Sequence, residues 1–331
     1  MESDTIYVVS QVPNLGKLLQ ERLPHTRIKN ITLPAKFDWH RVLDPKIIDL
    51  VKDAEILFCD NTSVGQLMYS LPKLKWVQTV WAGVDSIFKR LDPEKPLPVF
   101  TLTRYGDSRF GDSMAEYFLA QVINNERSMY KMWDNQKISK WRTEVFLNCR
   151  TVSELIIGIM GIGVLGGQIA KAVKERGATV YGLVRKIRKN SDTKYCDKIF
   201  TNLNEFLKDC DYVCSVLPST HLTRGLLNGN ALESCEKKPV FVSMGRGDVI
   251  DEEDLLHAIE KNWIRKAILD VFKEEPLPAD SVLWSHPKII VTPHIGGSTN
   301  TSKIIECFME NYKRFRSGRE LLNRVDWNEG Y

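Results

Sequence analysis

The sequence predicts an α/β protein made of two doubly wound parallel-sheet domains. Short apolar runs alternate with helix-like segments along nearly the whole chain, a pattern that builds parallel sheets with helices on both faces. A length of 331 residues suits about two domains, each large enough for its own core. A glycine-rich turn near the middle, between an apolar run and a helical segment, is the point around which the second sheet is organised.

The first part of the chain reads as a small α/β unit. Strands are expected at Ile6–Val9, Ile28–Thr32, Ile56–Cys59, Trp76–Val80 and Val99–Leu102, with helices between them at Leu15–Arg22 and Pro45–Lys52. Gly111–Trp133 reads as one long helix. Ser113 and Glu116 have capping-box spacing at its start, and Met114, Tyr117, Phe118, Gln121, Val122 and Asn125 share a mixed face. Lys137–Arg150 has little pattern.

Leu155, Ile156, Ile157, Ile159 and Met160 then form an apolar run typical of a buried strand. Gly161, Gly163 and Gly166 follow at G-x-G-x-x-G spacing, a helical segment runs to Gly177, and Thr179–Val184 offers a second strand. Further strands are expected at Tyr212–Leu217, Val240–Met244, Ala267–Val271 and Ile289–Thr292, which makes six in this region. Asp251 heads D-E-E-D-L-L-H-A-I-E, a helix start with acids in its first turn. The last helix, Thr301–Ser317, follows a sheet that is already complete and is expected to cross back to the first domain. The expected boundaries are therefore 1–112 and 296–331 for one domain and 113–295 for the other.

The strand–glycine turn–helix–strand order is the setting that a dinucleotide fingerprint requires. Gly161 permits the tight turn, Gly163 lets the backbone approach a pyrophosphate, and Gly166 lets the helix pack closely on the strand. The free amides and positive dipole end of the helix then face the phosphates. A membrane span is excluded here, because the uncharged stretch is too short and too rich in glycine. About 20 residues beyond the first glycines, an NAD site places an acid on the ribose 2′-hydroxyl. That place holds Arg185, followed by Lys186 and Arg188, with no carboxylate until Asp192. Cations there would neutralise a 2′-phosphate, so NADP(H) is expected over NAD(H).

Composition narrows the remaining classes. Hydrophobic content of 43% and charged content of 27% are ordinary for a soluble globular protein. A net charge of +4 without long basic blocks disfavours nucleic acid as a partner. The seven cysteines are scattered and odd in number, with no C-x-x-C spacing, so neither a disulfide framework nor structural zinc is expected. The N-terminus lacks a basic segment followed by an apolar core, which leads to an expectation of a reduced, cytoplasmic enzyme with no metal and no membrane contact.

Three downstream strand ends each deliver polar residues, where a doubly wound sheet places its site. They are S-M-G-R-G-D with Arg246, L-D-V-F-K-E-E-P with Asp270 and Glu275, and V-T-P-H-I-G-G with His294. An arginine, a carboxylate and a histidine suit reduction of a 2-keto acid. Arg246 would bind the carboxylate and polarise the carbonyl, and His294 would move the proton. Glu275 would hold the imidazole and favour its protonated form. Each residue alone has a bland alternative as a turn cation, a surface acid or a strand-end histidine.

Taken together, these segments resemble the D-isomer-specific 2-hydroxyacid dehydrogenases, and within them the glyoxylate/hydroxypyruvate reductase branch. The resemblance covers nearly the whole chain. It rests also on W-A-G-V-D-S-I (81–87), M-A-E-Y (114–117), G-I-G-V-L-G-G (161–167) and L-P-S-T-H-L-T-R-G-L-L-N (217–228). It implies a central Rossmann dinucleotide-binding domain and a flavodoxin-like substrate domain built from both chain ends. It implies the Arg246, Glu275 and His294 roles, a contact of Asp270 with the nicotinamide carboxamide, and receipt of the substrate carboxylate by backbone at Ala82, Gly83 and Val84, beside Trp81. Leu217, Pro218 and Thr223 would line the cofactor, with further contacts from Val164, Leu165, Met244, Gly245, His294 and Gly296. A homodimer using the long helix near Met114 is also implied.

Three departures from the family pattern bear on these expectations. Many relatives carry asparagine where Ser243 stands, Arg185 replaces the usual NAD-selecting acid, and no C-terminal regulatory domain is expected, which argues against the larger phosphoglycerate dehydrogenases. The expected activity is NADP(H)-dependent reduction of small 2-keto acids to D-2-hydroxy acids, with glyoxylate and hydroxypyruvate leading. Two alternatives stay open: a non-catalytic, dinucleotide-sensing protein like the corepressors of the same superfamily, and a reductase of bulkier 2-keto acids.

Overall fold

The computed structural model describes residues 4–34, 42–106, 108–144, 148–187 and 191–331. The chain divides into two compact units, Met1–Asp107 with Thr299–Tyr331, and Ser108–Ser298.

In the first unit, β1 (Thr5–Ser10), β2 (Arg27–Thr32), β3 (Ile56–Cys59), β4 (Trp76–Thr79) and β5 (Thr101–Thr103) pair in parallel in the order β2-β1-β3-β4-β5. This is the flavodoxin-like winding, and its order reverses between β1 and β3. All four residues of β3 and of β4 are buried, which is why I-L-F-C reads as a continuous apolar run and not as an alternating one; in W-V-Q-T the buried Gln78 and Thr79 are hydrogen-bonded. The helices are α1 (Leu15–Arg22), α2 (Lys46–Val51), α3 (Asn61–Leu67) and α4 (Asp85–Phe88).

The second unit begins with α5 (Ser108–Glu126) and α6 (Met129–Lys137). The single helix expected over Gly111–Trp133 is thus interrupted. Ser128 takes a left-handed conformation (φ 51°), which ends one helix and starts the next. Glu126, at the end of α5, is held by Arg150 at 3.1 Å, Arg265 at 3.3 Å and the Tyr212 hydroxyl at 2.7 Å, which fixes the stop. Ser113 is not a cap either. It lies inside α5, and its hydroxyl donates to the Phe110 carbonyl at 2.8 Å.

After α5 and α6 come β6 (Ile156–Met160), α7 (Val164–Lys174), β7 (Thr179–Leu183), β8 (Lys198–Phe200), α8 (Leu203–Leu207), β9 (Tyr212–Ser215), β10 (Val240–Ser243), α9 (Glu252–Glu260), β11 (Lys266–Leu269) and β12 (Ile289–Val291). They form a seven-stranded parallel sheet in the order β12-β11-β10-β9-β6-β7-β8. Six strands were expected. The extra one, β8, has the sequence K-I-F, too short to show a period, and it exists because β7 offers it a pairing edge. Numbered within the unit, the order is that of the dinucleotide fold with one added edge strand, and it reverses between β6 and β9.

Side chains alternate across this sheet. Ile157, Ile159, Val180, Cys214 and Val242 join Phe118, Val122, Ile169 and Val173 of α5 and α7 on one face. Met160, Val213 and Phe241 join Phe206, Leu255 and Ile259 of α8 and α9 on the other. Asp251 stands at the start of α9, but its carboxylate does not cap the helix; it accepts from Lys273 at 2.5 Å and from Asn228 at 2.8 Å.

The last helix, α10 (Thr301–Arg316), belongs to the first unit. Phe308 stacks on Phe58 and Trp76 with ring centroids 4.4 and 5.0 Å apart, and Asn311 donates to the Gln78 amide oxygen at 2.9 Å. Aromatic burial and one satisfied polar contact hold the helix on that sheet.

Candidate active site

The glycine turn stands where β6 feeds α7, at the reversal of strand order in the second unit. Gly161 has φ 96°, a left-handed value that favours glycine. A side chain on Gly166 would lie 2.0 Å from the Gly161 carbonyl oxygen, so this glycine is needed for the helix to pack on the turn. Gly163 differs: a Cβ there would meet nothing within 4 Å. It caps the N-terminus of α7 in extended conformation, and the first amides of Val164, Leu165 and Gly166 have no carbonyl four residues back inside the helix. An open cradle at a helix N-terminus fits a dinucleotide pyrophosphate.

Arg185 and Lys186 are exposed just beyond β7, the position from which the adenosine ribose is read, and Arg188 lies outside the described residues. Beyond β9, Thr223 closes its own loop. Its hydroxyl accepts from the Thr220 amide at 2.9 Å and donates to the Pro218 carbonyl. Leu217 packs beside Gly161, where a Cβ would lie 3.1 Å from its side chain.

Arg246 follows β10 between two glycines, each demanded by a backbone approach. A Cβ on Gly245 would lie 2.5 Å from the Leu217 carbonyl oxygen, and one on Gly247 would lie 2.1 Å from the carbonyl carbon of Phe272. The arginine is therefore carried on a segment wedged between the ends of β9 and β11. Its guanidinium donates to the Gly245 carbonyl at 2.8 Å.

His294 follows β12 with φ 54°, uncommon for a residue bearing a side chain. The strain is held by Asp270, which is 1% exposed. The Asp270 carbonyl accepts from the His294 amide at 2.8 Å. One carboxylate oxygen accepts from the Ile295 amide at 2.9 Å and the Thr292 hydroxyl at 2.6 Å, and the other from the Gly296 amide at 2.7 Å. Gly296 permits this close approach, since a Cβ would lie 2.8 Å from the carboxylate and 3.3 Å from Met244. The Thr292 proton is committed to Asp270, so Tyr117, 2.6 Å away on α5, must donate to Thr292. Burial pushes the Tyr117 phenol well up, which keeps it a donor.

The His294 Nδ1 atom lies 2.7 Å from a Glu275 carboxylate oxygen, and the other oxygen accepts from the Phe272 amide at 2.9 Å. Burial raises the Glu275 carboxyl, but the hydrogen bond and charge of His294, the Phe272 amide and the Arg246 charge outweigh it. The group therefore sits below the ordinary carboxylate value. An acceptor on Nδ1 leaves Nε2 as the ring nitrogen able to pass a proton outward.

In the first unit, the loop after β4 carries Trp81, Ala82, Gly83 and Val84 into α4. Every carbonyl from Trp81 to Gly83 has a donor. Trp81 receives the Thr79 hydroxyl at 2.8 Å and the Asn61 amide at 3.3 Å, Ala82 receives Arg104 at 3.3 Å, and Gly83 receives Asn61. Among the described residues, the amides of Ala82, Gly83 and Val84 have no hydrogen-bond partner.

Sequence reasoning missed Asn61, Thr292 and the part played by Tyr117. Thr292 carried a faint signal in T-P-H; Asn61 gave only the polar end of an apolar strand.

A doubly wound sheet with an open glycine cradle at its reversal, and with Arg246, Glu275 and His294 at three successive strand ends, defines an NAD(P)-binding oxidoreductase. The family model for D-isomer specific 2-hydroxyacid dehydrogenase, NAD binding domain, matches residues 119–296, and the chain belongs to that family. A D-isomer specific 2-hydroxyacid dehydrogenase from Xanthobacter autotrophicus Py2, solved with NADPH and MES, is 28% identical over 100% of both chains, with a TM-score of 0.83. An NADPH-dependent glyoxylate/hydroxypyruvate reductase from Sinorhizobium meliloti, solved with NADP and sulfate, is 27% identical over 99% of this chain and 100% of its own, with a TM-score of 0.82. A family protein from Aeromonas salmonicida is 29% identical over 98% of this chain and 100% of its own, with a TM-score of 0.81. Among the described residues, no helix is long and apolar enough to cross a membrane.

Proposed function

We propose that this protein reduces small 2-keto acids to D-2-hydroxy acids with NADPH, glyoxylate and hydroxypyruvate being the leading substrates. The observation that carries the reading is the Glu275–His294 pair, 2.7 Å apart, at the carboxyl end of the sheet that also presents Arg246. The bound nicotinamide supplies the hydride. Arg246 binds the substrate carboxylate and polarises the carbonyl. His294 delivers a proton from Nε2 to the carbonyl oxygen and recovers it in the reverse direction. Glu275 fixes the ring by accepting from Nδ1, and Asp270 holds the loop that presents it. In the first unit, the amides of Ala82, Gly83 and Val84 receive the substrate carboxylate; three adjacent amides turned outward suit an anion.

For the cofactor, Gly161, Gly163 and Gly166 with the first turn of α7 hold the pyrophosphate, and Arg185 and Lys186 meet the 2′-phosphate. The absence of an acid after β7 and the NADPH and NADP bound by two relatives support this choice. The same reading assigns a homodimer in the cytoplasm. Helix α6 buries none of its residues, and Trp133, Ile138 and Trp141 are 46, 58 and 95% exposed, a surface suited to a second copy.

The test follows nicotinamide absorbance with NADPH, then NADH, against glyoxylate, hydroxypyruvate and larger 2-keto acids. Rapid NADPH oxidation with the two small acids is expected. Activity confined to larger acids would keep the mechanism and overturn the substrate; cofactor binding without turnover of any of them would overturn the enzymatic reading.

A further inference from the structure

We infer that Asn61 is the positioning residue of the carboxylate-receiving loop: its side chain holds two carbonyls of Trp81–Gly83 inward, so that the amides of Ala82, Gly83 and Val84 are left for the substrate. The inference rests on the proposed role of that loop and adds a residue to it. Asn61 is 2% exposed at the start of α3, directly after β3, and β3 lies beside β4, from which the loop departs. Its amide nitrogen donates to the carbonyls of Trp81, at 3.3 Å, and Gly83, and its amide oxygen accepts from the Trp81 amide at 3.2 Å.

The two ends of one planar group thus grip both flanks of the loop. A peptide unit has its carbonyl and its amide pointing in opposite directions. Turning the Trp81 and Gly83 carbonyls toward Asn61 therefore turns the amides of Ala82 and Val84 away from it, and Arg104 on the Ala82 carbonyl does the same for Gly83. The donor to Trp81 is shared with Thr79, whereas Asn61 alone among the described residues supplies the donor to Gly83. Only a residue with both a donor and an acceptor on a short stem can make this set of contacts. Aspartate has the shape but no donor, and would face two carbonyl oxygens with a negative charge.

The test compares wild-type protein with Asn61→Asp and with Asn61→Ala, which introduces no buried charge and serves if the aspartate variant is unstable. Thermal melting first identifies folded variants. For these, the KM for glyoxylate is expected to rise at least about 10-fold, with kcat within about threefold and NADPH affinity unchanged, because the interaction acts on substrate binding alone. A second readout does not require turnover: the backbone amide resonances of Ala82, Gly83 and Val84 should shift on titration with oxalate in wild type, with affinity reduced at least about 10-fold in the variants. Unchanged KM and oxalate affinity in a folded variant would overturn the role of Asn61. Failure of the wild-type resonances to respond to oxalate would overturn the loop as an anion receptor. Absence of turnover with a normal oxalate response would instead reject the proposed reaction and leave the role of Asn61 standing.

Discussion

Gly163 and Gly166 lie three residues apart in one motif, yet alanine at each should fail in opposite ways. At Gly166 the new methyl would stand 2.0 Å from the Gly161 carbonyl oxygen and 3.1 Å from its carbon, so backbone must move by more than an ångström to restore van der Waals contact. Overpacking against backbone costs about 1–3 kcal/mol, which lowers the melting temperature of a unit this size by several degrees. At Gly163 the methyl meets nothing within 4 Å, and φ −108°, ψ −159° is open to alanine. The free protein should therefore melt at the wild-type temperature, or slightly above it, since alanine narrows the unfolded ensemble by about 0.4–1 kcal/mol. The same methyl occupies the cradle, and losing one charge-assisted hydrogen bond of about 1.5–3 kcal/mol weakens NADPH by roughly 10- to 100-fold. Thermal melting with and without NADPH, together with a fluorescence titration of NADPH, reads both effects. A Gly163→Ala protein that binds NADPH like wild type would refute the placement of the pyrophosphate. Unchanged melting of Gly166→Ala would refute the packing argument.

Four other outcomes are expected. His294→Ala should reduce turnover by at least about 100-fold with little effect on NADPH affinity in a binding titration; near-wild-type turnover would remove it as proton donor. Arg185→Asp should weaken NADPH far more than NADH, and equal losses on both would undo the assignment of Arg185 to the 2′-phosphate. Tyr117→Phe removes the donor to Thr292 and should cost about 0.5–1.5 kcal/mol in melting, with a several-fold fall in kcat that Thr292→Val reproduces without adding to it in the double variant. Because the Glu275 carboxyl lies below its ordinary value of 4.5, its stabilising contribution is present above that pH and lost as pH falls through the folded value. The difference in melting temperature between wild type and Glu275→Gln should accordingly shrink below about pH 4.5, and a constant difference down to pH 3 would contradict the pairing.

Much of the fold was legible because buried parallel strands declare themselves locally. I-L-F-C and V-F-V-S are apolar on both faces, so no partner need be known to recognise them. K-I-F is a strand only because β7 exposes an edge to it, and that edge is a property of the folded sheet. The break at Ser128 was hidden for a similar reason: the local pattern continues, and it is the locked end of α5 at Glu126 that stops the helix.

The site divides along the same line. Glycine spacing, a missing acid after the second strand, and an arginine, a carboxylate and a histidine at strand ends are features of composition and order, and the sequence by itself determined them. It also determined the family, since those features occur together in one succession. Only the tertiary structure decided which polar groups meet. Asp270 and His294 are 24 residues apart in sequence, but because β11 and β12 are neighbours the Asp270 carbonyl accepts from the His294 amide and its carboxylate from the amides of Ile295 and Gly296. Asn61 reaches the loop at 81–84 because β3 pairs with β4. Hydrogen bonds fall off within a few tenths of an ångström, so a register between strands, which no local pattern encodes, selects the partners.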